Sequence, residues 1–168
     1  MGILLKIFFA IALIVLIVKF SENTALKNEL IAKEIVYKHA KAWETGDLEL
    51  LDSVLHEDVI FAYPGRRLDK RETLADLIDY NKSFKDTKIY INKIIVNGNE
   101  LAVEWQFAST SIKTGNRTAV SDAIIGKMKD GKIIVWKEYL DGRVSRMQAN
   151  GTLALEEGQE PFPWPRKK

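Results

Sequence analysis

The sequence predicts an α+β domain, and three observations carry the assignment. Apolar residues recur at spacings of three and four in the first half. Short β-branched and aromatic runs separated by glycine-containing turns fill the second half, and the helical pattern ends before the strand pattern begins. Helices followed by a meander call for one antiparallel sheet with helices over its concave face. At 168 residues the chain is one domain with extensions.

The elements follow in order. Leu26, Leu30, Ile31, Ile35, Val36, Ala40 and Trp43 mark a helix over about residues 21–44, stopped by Gly46, with Asp47 capping the next. Leu48, Leu51, Val54 and Leu55 form a short second helix, and Val59–Tyr63 reads as a strand ended by Pro64-Gly65. Asp69 and Glu72 make a capping box for a third helix carrying Leu74, Leu77 and Ile78. Four antiparallel runs follow, Ile89–Val96, Leu101–Ile112, Thr118–Met128 and Lys132–Asp141, with turns at Asn97-Gly98, Thr114-Gly115 and Asp130-Gly131. Residues 21–148 thus form the domain, and 149–168 a tail whose Pro161-Phe162-Pro163-Trp164-Pro165 is extended and expected to dock through its aromatic rings.

Residues 1–20 differ in kind. Ile7 to Val18 is continuously apolar, and a helix from Ile3 to Phe20 would be about 27 Å long at about 1.5 Å per residue, close to a bilayer's hydrocarbon thickness. Insertion would gain roughly 5 kcal/mol. The expectation is an uncleaved single-pass anchor over residues 3–20 and a membrane localisation. The alternative is a cleaved signal segment and a secreted or periplasmic domain, although no A-x-A site follows.

Composition excludes several classes. Twenty-five lysines and arginines against 23 aspartates and glutamates give +2, too little for a nucleic-acid footprint. Without cysteine there is no disulfide or thiol nucleophile, and two histidines, His39 and His56, lack metal-ligand spacing, so no metal is expected. Neither a P-loop, a GxGxxG turn nor a GxSxG elbow occurs, and no cofactor is expected.

The run Asp130-Gly131-Lys132-Ile133 with Trp136-Lys137-Glu138-Tyr139-Leu140-Asp141 resembles the last strand of the SnoaL-like families of the nuclear transport factor 2-like superfamily. Gly46-Asp47-Leu48, Asp58-Val59-Ile60-Phe61 and Tyr63-Pro64-Gly65 agree with it. The resemblance implies a cone-shaped curved sheet packed with about three helices, open at one end to a small ligand. It also implies an acid/base role for the aspartate at the end of the last strand, here Asp141. Two relatives fit less well: where ketosteroid isomerases have their base before the proline this chain has Tyr63, and their helix tyrosine falls at His39. Epoxide hydrolases need an arginine two residues before an aspartate, whereas Arg117 lies five before Asp122.

Asp141 is therefore the leading candidate base, and burial would raise its pKa. Its competing role is to bond the backbone around Gly142. Strict alternation puts Asp141 on one face with Tyr139, Lys137, Val135 and Ile133, and Trp136, Glu138 and Leu140 on the other, so either Lys137 pairs with a pocket carboxylate or a bulge shifts the register. Asp122, on the neighbouring strand, would share the cavity if it points inward, with His39 or Tyr63 assisting. Trp43, Trp105 and Tyr139 are candidate ligand-lining rings, or ordinary core.

Two functions fit. In one, the cone binds a small, largely apolar molecule and Asp141 moves a proton or activates water, as a cyclase, isomerase or hydrolase. In the other, the fold binds or assembles without chemistry, as a homodimer through the convex sheet. A hollow cone with Asp141 inside favours the first; a filled cone, or an aspartate turned to water, favours the second.

Overall fold

A parallel pairing in an otherwise antiparallel sheet sets the architecture. A computed structural model describes residues 2–153 and 159–162. Helices α1 (Gly2–Thr45) and α2 (Leu48–Val54) precede β1 (Leu55–Tyr63) and β2 (Arg66–Leu68). Helix α3 (Lys70–Ser83) leads into β3 (Phe84–Asn97), β4 (Glu100–Ser111), β5 (Arg117–Lys129) and β6 (Lys132–Leu140), and α4 (Gly142–Ala149) follows. The strand order is β2-β1-β6-β5-β4-β3, with β1 parallel to β6. The curved six-stranded sheet and its helices make a nuclear transport factor 2-like α+β fold.

Local sequence accounts for the helix ends. Gly46 reverses the chain at φ +71°, and Asp47 caps α2 by accepting from Leu50 N. At α3 the expected capping box forms, with Asp69 accepting from Glu72 N and Glu72 from Asp69 N. Ladder irregularities between Lys85 and Lys88, Ile91 and Lys93, and Lys127 and Met128 bend the sheet as bulges do.

Register and burial identify the two faces. Leu101, Val103 and Trp105 of β4, Ile124 and Met128 of β5, and Ile133 and Trp136 of β6 join Ala32, Val36, Ala40 and Trp43 of α1 in one core. The other face carries Ile95, Ile125 and Tyr139, all exposed. Gly126 sits on the inner face, where a Cβ would lie 2.7 Å from Leu101 Cδ1; its bare backbone admits the Leu101 side chain beside Trp136.

The membrane expectation is corrected. Among the described residues no helix is long and apolar enough to cross a membrane, so an anchor over residues 3–20, its membrane partner and the single-pass localisation are not supported. The segment is no separate element: α1 runs unbroken from Gly2 into the domain, and after the exposed Leu13–Val18 it carries Lys19, Glu22, Lys27 and Glu29. Those charges end the apolar stretch among the described side chains. At the other end, Trp164 lies outside the described residues.

Candidate functional site

The cone is filled. His39 from α1 is completely buried, its ring 4.3 Å from Trp136, 5.8 Å from Phe61 and 5.9 Å from Trp105 between centroids. Trp43 closes the cluster by donating from Nε1 to His39 Nε2 at 3.3 Å. That bond assigns the ring's proton to Nδ1, which has no partner among the described residues. Burial lowers the His39 pKa to about 3, so the ring is neutral. Trp43 and Trp105, expected as ligand-lining rings or core, are core; His39 is walled off from ligand.

What remains open is the mouth. A solvent-facing recess of about 570 Å³ lies where β6 runs past the end of β1, lined by Ala62–Pro64 and Lys137–Asp141. Tyr63 and Tyr139 border it, but Tyr139 is exposed and projects from the outer face. The Tyr63 hydroxyl donates to Asp76 Oδ2 at 2.9 Å, and burial together with Asp76 pushes its pKa to about 12. Arg66 approaches Asp76 at 3.8 Å and stands 5.9 Å over the Tyr63 ring.

Asp141 departs from the expected geometry. It is the N-cap of α4, accepting from Arg143 N, and its carboxylate takes a forked contact from the Arg143 guanidinium at 2.6 to 3.0 Å. Exposed to water and hydrogen-bonded by Arg143, it has its pKa lowered to about 2, the opposite of what a general base needs. The physical reason is that the strand ends at Leu140, and the unassigned helix behind it needed a cap. Lys137 is exposed on the outer face, and the bulge at Lys127/Met128 is what lets Ile133 and Trp136 both turn inward.

The carboxyl that does occupy the mouth is Glu138. The pairs Gly126↔Trp136, Ile124↔Glu138 and Asp122↔Leu140 place Glu138 and Asp122 as diagonal neighbours on the inner face. Glu138 is half-buried; Oε1 accepts from Trp136 Nε1 at 2.9 Å, and Oε2 has no hydrogen-bond partner among the described residues. Desolvation first, then the charge of Asp122, raises its pKa to about 8, against the Trp136 hydrogen bond. Asp122 is buried and turned inward: Trp105 Nε1 donates to Oδ2 at 3.2 Å and Tyr139 N to Oδ1 at 3.0 Å. Desolvation lifts its pKa to about 6, with those hydrogen bonds holding it back. Both carboxyls therefore hold their protons more tightly than ordinary carboxylates, and their titrations are coupled. The sequence carried a signal for Glu138: if Trp136 is core, period-two alternation turns Glu138 inward as well.

No metal-ligating cluster of three acidic, histidine or cysteine residues occurs among the described residues.

Residues 36–136 match the family described as SnoaL-like domain. Among solved structures, a hypothetical protein with a ketosteroid isomerase-like fold from Catenulispora acidiphila, in complex with trimethylamine, is 18% identical with a TM-score of 0.65. The match covers 70% of this chain and 92% of that one. A Mycobacterium tuberculosis LEH-like epoxide hydrolase is 19% identical with a TM-score of 0.65, covering 79% and 98%. The putative polyketide cyclase IdmH from Streptomyces antibioticus is 18% identical with a TM-score of 0.63, covering 70% and 97%. At these identities the likeness is one of fold. No curated protein matches.

Proposed function

Since the chain belongs to the SnoaL-like domain family, we propose that it binds a small, largely apolar molecule at the mouth of the filled cone and presents Glu138 to a ligand oxygen. The observation that carries this reading is Glu138 Oε2, which has no hydrogen-bond partner among the described residues, on a side chain lining the recess and backed by Asp122. Held neutral by its surroundings, Glu138 is a hydrogen-bond donor and general acid at pH 7; the same group becomes a base once ionised. Asp122, buried behind it, is a positioning residue that sets its proton affinity. The names of the solved neighbours, a putative polyketide cyclase and an epoxide hydrolase, are consistent with a ligand bearing carbonyl or ether oxygens.

The test is deuterium exchange into cyclic ketones and β-dicarbonyl compounds in heavy water. Exchange at the carbon beside the carbonyl should be accelerated by the native chain and return to the buffer rate in Glu138→Gln, while Asp141→Asn retains it. Ligands that bind without any Glu138-dependent exchange remove the proton-transfer role.

A second reading, a domain that assembles without chemistry, has its own support in the aromatic plug and in Ile95, Ile125 and Tyr139 exposed on the outer face. Under it the chain is a dimer by sedimentation equilibrium and Ile125→Lys makes it a monomer, with Glu138→Gln indifferent.

A further inference from the structure

The outer face of the sheet carries a second arrangement, remote from the mouth and unused by the reading above. Three adjacent strands supply it: Tyr90 from β3, Gln106 directly opposite on β4, and Arg117 near the start of β5. Against them lies a short stretch of the C-terminal tail, Gln159–Phe162. We propose that this face is a receptor for a short acidic peptide of the form Gln-Glu-Pro-Phe, and that the chain's own residues 159–162 are its resident occupant.

Recognition is of two kinds. Gln106 reads main chain with both ends of its amide: Nε2 donates to the Gln159 carbonyl at 2.8 Å and Oε1 accepts from Phe162 N at 2.9 Å. One side chain thereby holds the four-residue segment by its backbone at both ends, and it is completely buried. Arg117 reads charge: Nε donates to Glu160 Oε2 at 2.6 Å, Nη2 donates to Oε1, and the Tyr90 hydroxyl donates to Oε1 at 3.0 Å. The forked geometry selects a carboxylate over an amide or a single anionic atom.

The cationic part of the receptor is anchored by contacts outside the tail. Arg117 uses its remaining nitrogen, Nη1, on the Asp86 carbonyl at 2.9 Å and on Thr110 Oγ1 at 3.0 Å. Neither partner belongs to the tail, so the guanidinium is aimed before the ligand arrives and loses little freedom on binding. The reciprocal shifts, Glu160 downward and Arg117 upward, have the same origin in the forked contact.

A site of this kind releases its occupant when the carboxylate is removed and accepts the same sequence in trans. The full-length chain and its Glu160→Gln variant are compared by NMR. The Phe162 amide should exchange at least tenfold more slowly in the native chain than in the free peptide, and about 10- to 100-fold faster in Glu160→Gln, the range for losing a hydrogen bond to a charged group. Free acetyl-Gln-Glu-Pro-Phe-amide, titrated to about 5 mM, the order of the effective concentration of a short tether, should then shift the Gln106 side-chain amide and Tyr90 ring signals of that variant. Adding Arg117→Lys, which keeps the charge and loses the fork, should abolish those shifts. A Phe162 amide that exchanges freely in the native chain, a Glu160→Gln variant that keeps its protection, or peptide-induced shifts that survive Arg117→Lys would each overturn the proposal.

Discussion

Replacing Glu138 by glutamine tests the mouth through stability alone, without a known ligand. Glutamine keeps the shape and still accepts from Trp136 Nε1, but cannot ionise. In the folded chain the Glu138 pKa rises from an ordinary 4.5 to about 8. A carboxyl raised in this way holds its proton more tightly folded than unfolded, so its burial costs nothing below about pH 4.5 and progressively more up to about pH 8. At about 1.4 kcal/mol for each tenfold change in proton affinity, the cost has a ceiling near 5 kcal/mol. Asp122, raised to about 6, titrates in the same cavity and shares that cost, so about 2–4 kcal/mol is expected for Glu138 itself. The assay is urea unfolding of both proteins from about pH 4.5 to 9. Glu138→Gln should match the native chain within about 1 kcal/mol at the acid end and exceed it by about 2–4 kcal/mol at the alkaline end. Groups common to both proteins cancel in the difference. A difference that stays constant with pH would refute the desolvated, proton-bearing Glu138.

Other substitutions probe the surroundings. His39→Leu removes a buried neutral ring whose unpartnered Nδ1–H is costly, and whose lowered pKa makes the native fold lose stability as pH falls below about 6.5; acid unfolding of the variant should be shallower over that range. Trp136→Ala opens the centre of the plug and should cost about 3–5 kcal/mol in urea unfolding. Trp105→Phe keeps the packing but deletes a hydrogen bond to Asp122, and should move the Asp122 titration upward by NMR. Asp141→Ala should speed amide exchange across Gly142–Ala149 and leave the Glu138 titration where it was.

The order of helices and strands was legible because each boundary has its own chemistry: Gly46 and Asp47 between the first helices, the Asp69/Glu72 box, the Asp130-Gly131 turn. Family resemblance supplied the cone. Helix α4 and strand β2 were not read, since Gly142–Ala149 opens with glycine and Arg66–Leu68 is too short to show a period. The site was only half legible. The sequence left the direction of Asp122 open, and the register turns it inward, whereas Asp141 rests on the family motif and is a helix cap. Glu138 was visible as the neighbour of Trp136 on the inward face, but a lone glutamate in a strand reads as solvated until its desolvation is known. The contacts of Glu160 with Arg117, 43 positions away, leave no local trace.

The side-by-side placement of β1 and β6 also bears on synthesis. Strand β1 leaves the ribosome about 70 residues before its parallel partner, a delay of roughly 4 to 14 seconds at about 5–20 residues per second. During that interval Val59 and Phe61 have no neighbouring strand on that side, while β3, β4 and β5 can already zip into a meander. The nascent chain is therefore most prone to aggregate just before its last strand appears, and that strand is the one carrying Trp136 and Glu138.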